Sequence, residues 1–205
     1  MTDKHRRFLG PVVEMRKLHD SAEQRIVHSA EMLDRKSLAS VGDTTGERLT
    51  ALLTETKAHT PEELAANVAR IGELLGRFAL YVPARFTDDP AEQAKYWAVR
   101  SGIFPAVGGS RPAGTTCLSE DVAFHIEDLP RATAELQALI ARHGYDACIY
   151  GHALEDNYHF IINQSFSPPA EVARYEALMN DVAELVSAGT TARSKPSMAR
   201  GATWR

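Results

Sequence analysis

The sequence predicts an α+β fold, a ferredoxin-like antiparallel sheet with helices packed on one face. Three observations carry this expectation. Stretches with strand-like alternation take turns with stretches whose apolar residues recur every three to four positions. Two apolar strand-like runs, residues 146–152 and 157–163, are separated only by a short acidic turn, the spacing of adjacent antiparallel strands. A capped helix then follows, so strand–helix pairs close on two adjacent strands and a helix.

Taken in order, residues 1–46 read as a helical, polar N-terminal extension with weak caps, ending in the loop "VGDTTGE". "RLTALLTET" alternates Leu49, Ala51 and Leu53 as a half-buried strand does. Thr60, Pro61 and Glu63 form a capping box with proline at the first helical position. The helix they open carries Leu64, Val68, Ile71 and Leu75 on one face and stops at Gly76. "RFALYVPARFT" reads as a strand that Pro83 confines to a sheet edge. Asp89, Pro90 and Glu92 start a helix through Trp97 to Arg100, and "PAVGGSRPAGTT" reads as a glycine- and proline-rich loop. "CLSEDVAFHI" is a strand; Asp128 and Pro130 start a helix with Leu136, Leu139 and Ile140 inward and Gly144 as its stop. Ser167, Pro168 and Pro169 open a last helix with the stripe Val172, Tyr175, Met179, Val182 and Val186.

The 205 residues suit one domain, or a domain plus an extension. An apolar fraction of 44 % with 24 % charged residues is that of a globular protein with a core. The net charge of −4 favours neither nucleic acid nor an anionic membrane surface. No apolar run reaches the roughly 20 residues a transmembrane helix needs. The two cysteines, Cys117 and Cys148, each sit in an apolar strand-like run without a CxxC spacing, which reads as reduced buried thiols and a cytoplasmic setting.

The stretch "IYGHALEDNYHF" holds two histidines, His152 and His159, around the acidic turn. In the second strand, alternation puts Tyr158, Phe160 and Ile162 toward the core and His159, Ile161 and Asn163 on the opposite face. Strands paired as a hairpin bring His152 and His159 together at the open end. Two imidazoles, a carboxylate and an open position make a common catalytic divalent-metal site. Ordinary strand and loop histidines satisfy the same spacing, which leaves both readings open.

"YGHALEDNYHF" resembles the Gly-His-x-x-x-x-Asn-x-His segment of the FAD-linked oxidase C-terminal (cap) domain family, which includes D-lactate and D-2-hydroxyglutarate dehydrogenases and glycolate oxidase subunits. "YWAVRSGIFPAVGGSRPAGTTCLSEDVAFHIEDLP" is similar to that family's arginine-bearing helix, its loop and its "EDVAF"-type strand, and the likeness runs over about residues 47–186. The resemblance implies that His152 and His159 hold a divalent metal, zinc or manganese, beside the substrate's 2-hydroxyl. It implies that Arg100 pairs with the substrate carboxylate and that Asn157 is the motif's asparagine on the substrate side. Two departures stand out: Asp156 replaces a glycine of many members, and Ser119 stands where some members have a lysine.

The family binds FAD in a separate N-terminal domain, for which this sequence has no counterpart, so no cofactor-binding residue and no catalytic residue proper is assigned within it. The family's closing "AEHGTG"-like segment, which supplies a third, glutamate ligand, is also missing. Residues 187–205 read as a disordered tail. Shifted by one base, permitted codons for "GTTARSKPSMARGATWR" can spell Tyr-Asp-Gly-Ser-Leu-Lys-Ala-Glu-His-Gly-Thr-Gly, which points to a frameshifted tail. Residues 47–186 are thus expected to be the substrate- and metal-binding cap domain of a flavin-dependent D-2-hydroxy acid dehydrogenase, D-lactate dehydrogenase-like, inactive as an isolated fragment. Its partners would be a small 2-hydroxy acid and a separate FAD-binding subunit. The rivals are a non-enzymatic interaction or remnant domain, and a small metal-dependent hydrolase using His152 and His159 with Glu155 or Asp156 as third ligand.

Overall fold

Five strands form one sheet: β1 (Ser29–Leu33), β2 (Ala51–Glu55), β3 (Thr116–Ala123), β4 (Cys148–His152) and β5 (Asn157–Gln164). Their order is β2-β1-β4-β5-β3, and every neighbouring pair is antiparallel. The helices are α1 (Asp3–His19), α2 (Arg35–Ser40), α3 (Pro61–Leu75), α4 (Pro90–Gly109), α5 (Leu129–Arg142) and α6 (Pro169–Gly189). The structure, a computed structural model, describes residues 3–19, 26–42 and 50–189. The loop at 43–47 and the tail from residue 190, with its reading as disordered and frameshifted, lie outside the described residues. No described helix is long and apolar enough to cross a membrane.

The class is the predicted α+β one with an antiparallel sheet, but helices pack on both faces rather than on one. β3, α5 and β4 form a split β-α-β unit with β5 inserted between its two strands, the ferredoxin-like connection. On the main core face, Met32, Ile149, Tyr158, Phe160 and Ile162 meet Met15 of α1, Ile71 of α3, Leu136 of α5 and Leu178 of α6. The alternate strand residues point the other way. There Leu33, Cys148, Tyr150 and Ile161 form a smaller cluster with Leu38 of α2 and Ile103 of α4. The two layers follow from the period-2 alternation of each strand. The second layer covers only part of its face and is the one that shapes the site.

Several predicted ends agree in detail. Thr60 Oγ1 accepts from Glu63 N at 3.2 Å, which satisfies one of the first orphan donors of α3, and Glu63 Oε2 accepts from His59 N, just before the cap, at 3.0 Å. Asp89 caps α4 by accepting from Ala91 N at 2.9 Å. Asp128 precedes α5 as expected, but its carboxylate turns to Arg131 rather than capping.

Four further readings are corrected. Residues 29–33, read as part of a helical extension, form β1 in the sheet interior. The run Ser-Ala-Glu-Met-Leu has little strand propensity, but pairing on both sides satisfies its backbone groups, and tertiary context overrides propensity. Residues 77–87 are not a strand: they pass through turns and extended coil with no ladder. Pro83 removes a donor, and Leu80, Tyr81 and Val82 find no partner and remain exposed at 41, 68 and 65 %. The proline- and glycine-rich stretch from 105 is helical as far as Gly109, with Pro105 inside α4. Burial of Ile103 and the packing of Val107 hold that last stretch on the sheet, the isoleucine alone supplying about 1.5–3 kcal/mol of transfer free energy. Finally, α6 continues through residues 187–189, which the sequence reading gave to the tail.

Candidate functional site

The β4–β5 hairpin builds the site. Gly151 adopts a φ of +151°, and a Cβ there would lie 2.8 Å from the Asn157 carbonyl oxygen and 3.0 Å from Tyr158 Cα. Only glycine lets the two backbones approach so closely. The chain then makes a short 3-10 turn, Ala153–Glu155, and reverses through Asp156 at φ +64°. Glycine takes such a left-handed φ without steric cost, and here Asp156 takes it while its Oδ1 accepts from Arg16 Nη1 at 3.1 Å. The result is a strand pair on which His159 opposes Tyr150, while His152 follows Tyr150 by two residues on the same face.

The rings of His152 and His159 lie 5.5 Å apart between centroids, edge to face. The structure thus brings together the two histidines picked out in the sequence. Arg100, from α4, reaches the same face: its guanidinium sits 5.0 Å from the centre of the Tyr150 ring, a cation–π contact. Asn157 begins β5 opposite Ala123, two residues before His159 and on its face of the strand. Ser119, on the neighbouring strand β3, lies beside the Tyr150 hydroxyl.

Three members of the cluster were not picked out from the sequence. Glu31 of β1 stands opposite His152 and is only 3 % exposed. Its Oε2 accepts from Arg100 Nε at 3.1 Å, and its Oε1 lies 2.5 Å from His152 Nδ1. Asp121 of β3 opposes His159 and pairs with its Nδ1 through Oδ1. Tyr150 lies between Arg100 and His159, its ring 5.3 Å from that of His159. Asp121 had a signal, since it alternates with Ser119 along the quoted "SEDVAF" strand. Glu31 has none, because its segment Ser-Ala-Glu-Met-Leu lacks strand-like composition.

Burial pushes the Tyr150 phenol above its ordinary range, and the nearby Arg100 charge and Ser119 hydroxyl offset part of that shift. The phenol therefore stays protonated at neutral pH and can donate. The face as a whole joins a planar cation, two imidazoles and two carboxylates beside a neutral phenol.

For a divalent metal the donor chemistry fits in part. Each imidazole has a carboxylate on Nδ1, the outer arrangement that commonly orients ligating histidines, which leaves Nε2 for an ion. Yet among the described residues no group of three or more His, Cys, Asp or Glu side chains is placed to hold a metal. The carboxylates suggested as third ligands within the turn do not join: Glu155 is exposed, and Asp156 is tied to α1. The described face therefore supplies two nitrogen ligands, and no built third one.

The family of FAD linked oxidases, C-terminal domain, matches residues 15–190, which takes in β1 and Glu31 as well as the stretch from residue 47 onward. No curated protein matches the chain. A solved structure of 4-ethylphenol oxidase from Gulosibacter chungangensis in complex with isoeugenol is similar at a TM-score of 0.49 and 11 % identity. That likeness covers 92 % of this chain and 42 % of the other, so the chain spans less than half the length of that oxidase.

Proposed function

The chain belongs to the family of C-terminal domains of FAD linked oxidases, and from that premise we propose that it is the substrate- and metal-binding cap of a flavin-dependent oxidoreductase that oxidises a D-2-hydroxy acid of the D-lactate type. The observation that carries the reading is the placement of Arg100 beside His152 and His159 on one partly covered sheet face. An arginine whose Nε is already engaged keeps its two terminal nitrogens for a carboxylate, and a bidentate pair fixes a small acid in orientation. The histidine pair lies next to that anchor, where the 2-hydroxyl of a bound 2-hydroxy acid would fall, and Asn157 adds a polar group on the same face.

When bound, the flavin supplies hydride acceptance from the substrate's C2, and a divalent ion such as zinc or manganese lowers the pKa of the hydroxyl. The chain's own residues do the holding. Arg100 would bind the carboxylate, His152 and His159 would hold the ion, and Tyr150, neutral, supports the guanidinium through the cation–π contact at 5.0 Å. The flavin-bearing part, as a separate subunit or as more of the same protein, would close over this face. Exposed Tyr96, Trp97 and Phe104 on α4 offer it apolar surface next to Arg100.

The reading is tested by calorimetric titration of the 205-residue chain with zinc and with manganese, and then with D-lactate in the presence of the ion. One ion per chain is expected, lost in the His152→Ala/His159→Ala double variant. Arg100→Ala should retain the ion and weaken the acid by about tenfold or more, the scale of a charge-assisted pair. Ion binding that survives loss of both histidines, or acid binding indifferent to Arg100, sinks the proposal. The hydrolase alternative requires a third protein ligand, which the described residues do not furnish.

A further inference from the structure

We propose that Glu31 is a positioning residue that sets two partners at once: it fixes His152 as the Nδ1–H tautomer and turns the terminal nitrogens of Arg100 outward. The part concerning ligands rests on the function proposed above, whereas the tautomer is a property of the chain itself.

The argument starts from what each group can donate or accept. Arginine only donates, and an ionised carboxylate only accepts. Glu31 meets Arg100 Nε at 3.1 Å through Oε2, so that oxygen is committed as an acceptor. Its other oxygen lies 2.5 Å from His152 Nδ1. A neutral imidazole facing an acceptor at Nδ1 must carry its proton there, which leaves the Nε2 lone pair free. Glu31 is 3 % exposed and stands between β2 and β4, paired with Leu53 on one side and His152 on the other. The carboxylate is thus sheltered and placed by the strand register, while the His152 ring it meets is 42 % exposed. Asp121 plays the same part for His159 Nδ1, but its side chain is 65 % exposed, and its hold is correspondingly open to solvent.

The two effects are coupled through one side chain. With Nε occupied by Glu31, the remaining edge of the Arg100 guanidinium is the one carrying both terminal nitrogens, the edge that accepts a bidentate carboxylate. The same carboxylate that aims the acid-binding arm thus also selects which nitrogen His152 offers to an ion. An acidic residue buried under an arginine and a histidine would be costly without both partners, because an unpaired buried charge is strongly unfavourable.

Glu31→Gln tests this sharply. The amide oxygen must face Arg100, since arginine cannot accept. The amide nitrogen is then forced toward His152 Nδ1, and two donors cannot face each other. The imidazole should switch to the Nε2–H tautomer, which removes the lone pair from Nε2. Long-range proton–nitrogen NMR of the full chain without metal reads the tautomer of each histidine directly. Expected are Nδ1–H for His152 in the wild type, Nε2–H in Glu31→Gln, and no change at His152 in the Asp121→Asn control. Zinc affinity of Glu31→Gln should fall about 10- to 100-fold, the range for loss of an outer-shell partner.

A wild-type His152 in the Nε2–H form overturns the inference even if Glu31→Gln does not fold. So does an unchanged Nδ1–H form in a folded Glu31→Gln variant. Zinc binding that depends on His152 and His159 but not on Glu31 overturns the inference and leaves the proposed function standing. Absence of zinc binding in the wild type removes the function, while the tautomer comparison still decides the role of Glu31.

Discussion

Gly151 shows how one residue can decide whether the site exists. Its φ of +151° is open mainly to glycine, and a Cβ would press on the backbone of Asn157 and Tyr158, which cannot swing aside as a side chain can. Gly151→Ala should therefore destabilise the fold by about 3 kcal/mol or more, as strain at a special backbone position and overlap act together. Urea unfolding measures this, and a loss under about 1 kcal/mol would show that the hairpin can relax without its glycine. Asp156 is the milder case, a left-handed residue that Asn, Asp and Gly tolerate and that is further held by Arg16. At this scale the sequence shows the nearness of His152, Asn157 and His159, because their motif is local, whereas Arg100, 52 residues upstream, is singled out only by the resemblance. The sequence is silent on Glu31, whose role depends on partners 69 and 121 residues away.

Among the elements, α5 and α6 lie against each other and are joined by His143 Nε2 to Asp181 Oδ2 at 2.8 Å, with Arg142 adding a longer contact. The hydrogen bond from His143, and then its charge and that of Arg142, hold the Asp181 carboxyl below its ordinary 3.8. A depressed carboxyl contributes stability that is fully present above its unfolded pKa and is lost as pH falls through the folded one. The wild type should therefore exceed Asp181→Asn in urea midpoint at about pH 5, and the gap should close on acidification below the ordinary carboxyl pKa. A gap that does not depend on pH would assign the effect to packing instead. Element boundaries were legible where a cap or stop is chemical and local, as at Thr60, Asp89 and Gly144. They were not legible where packing overrode composition: the helix-forming residues of β1 became a strand, and the apolar run at 80–82, without a neighbour to pair with, did not.

Over the whole molecule, each strand serves two layers, and the cysteines report on the thinner one. Cys148 is buried under α2 and α4, and burial, with smaller contributions from Asp34 and Asp146, pushes its thiol up to about 12. Only on the order of one molecule in ten thousand carries the thiolate at pH 8. Cys117 is also raised by burial but is less covered. Iodoacetamide at pH 8 should modify Cys117 slowly and Cys148 only after unfolding in urea, as read by peptide mass mapping. Alkylation of Cys148 at the rate of an exposed thiol would mean that the α2–α4 layer opens readily in solution.

What the sequence by itself determined is what local chemistry can specify. The alternation of β4 and β5, the capped helices α3 and α4, and the hairpin motif with its paired histidines follow from neighbours within a few positions, and so does the family resemblance they carry. What only the tertiary structure decided is which distant residues meet on the second face of the sheet. Register sets Glu31 opposite His152 and Asp121 opposite His159, and the burial of Ile103 extends α4 over the strands that Arg100 reaches. The physical reason is that strand pairing and helix docking are chosen by summed burial and backbone hydrogen bonding across the chain. No single segment contains that sum.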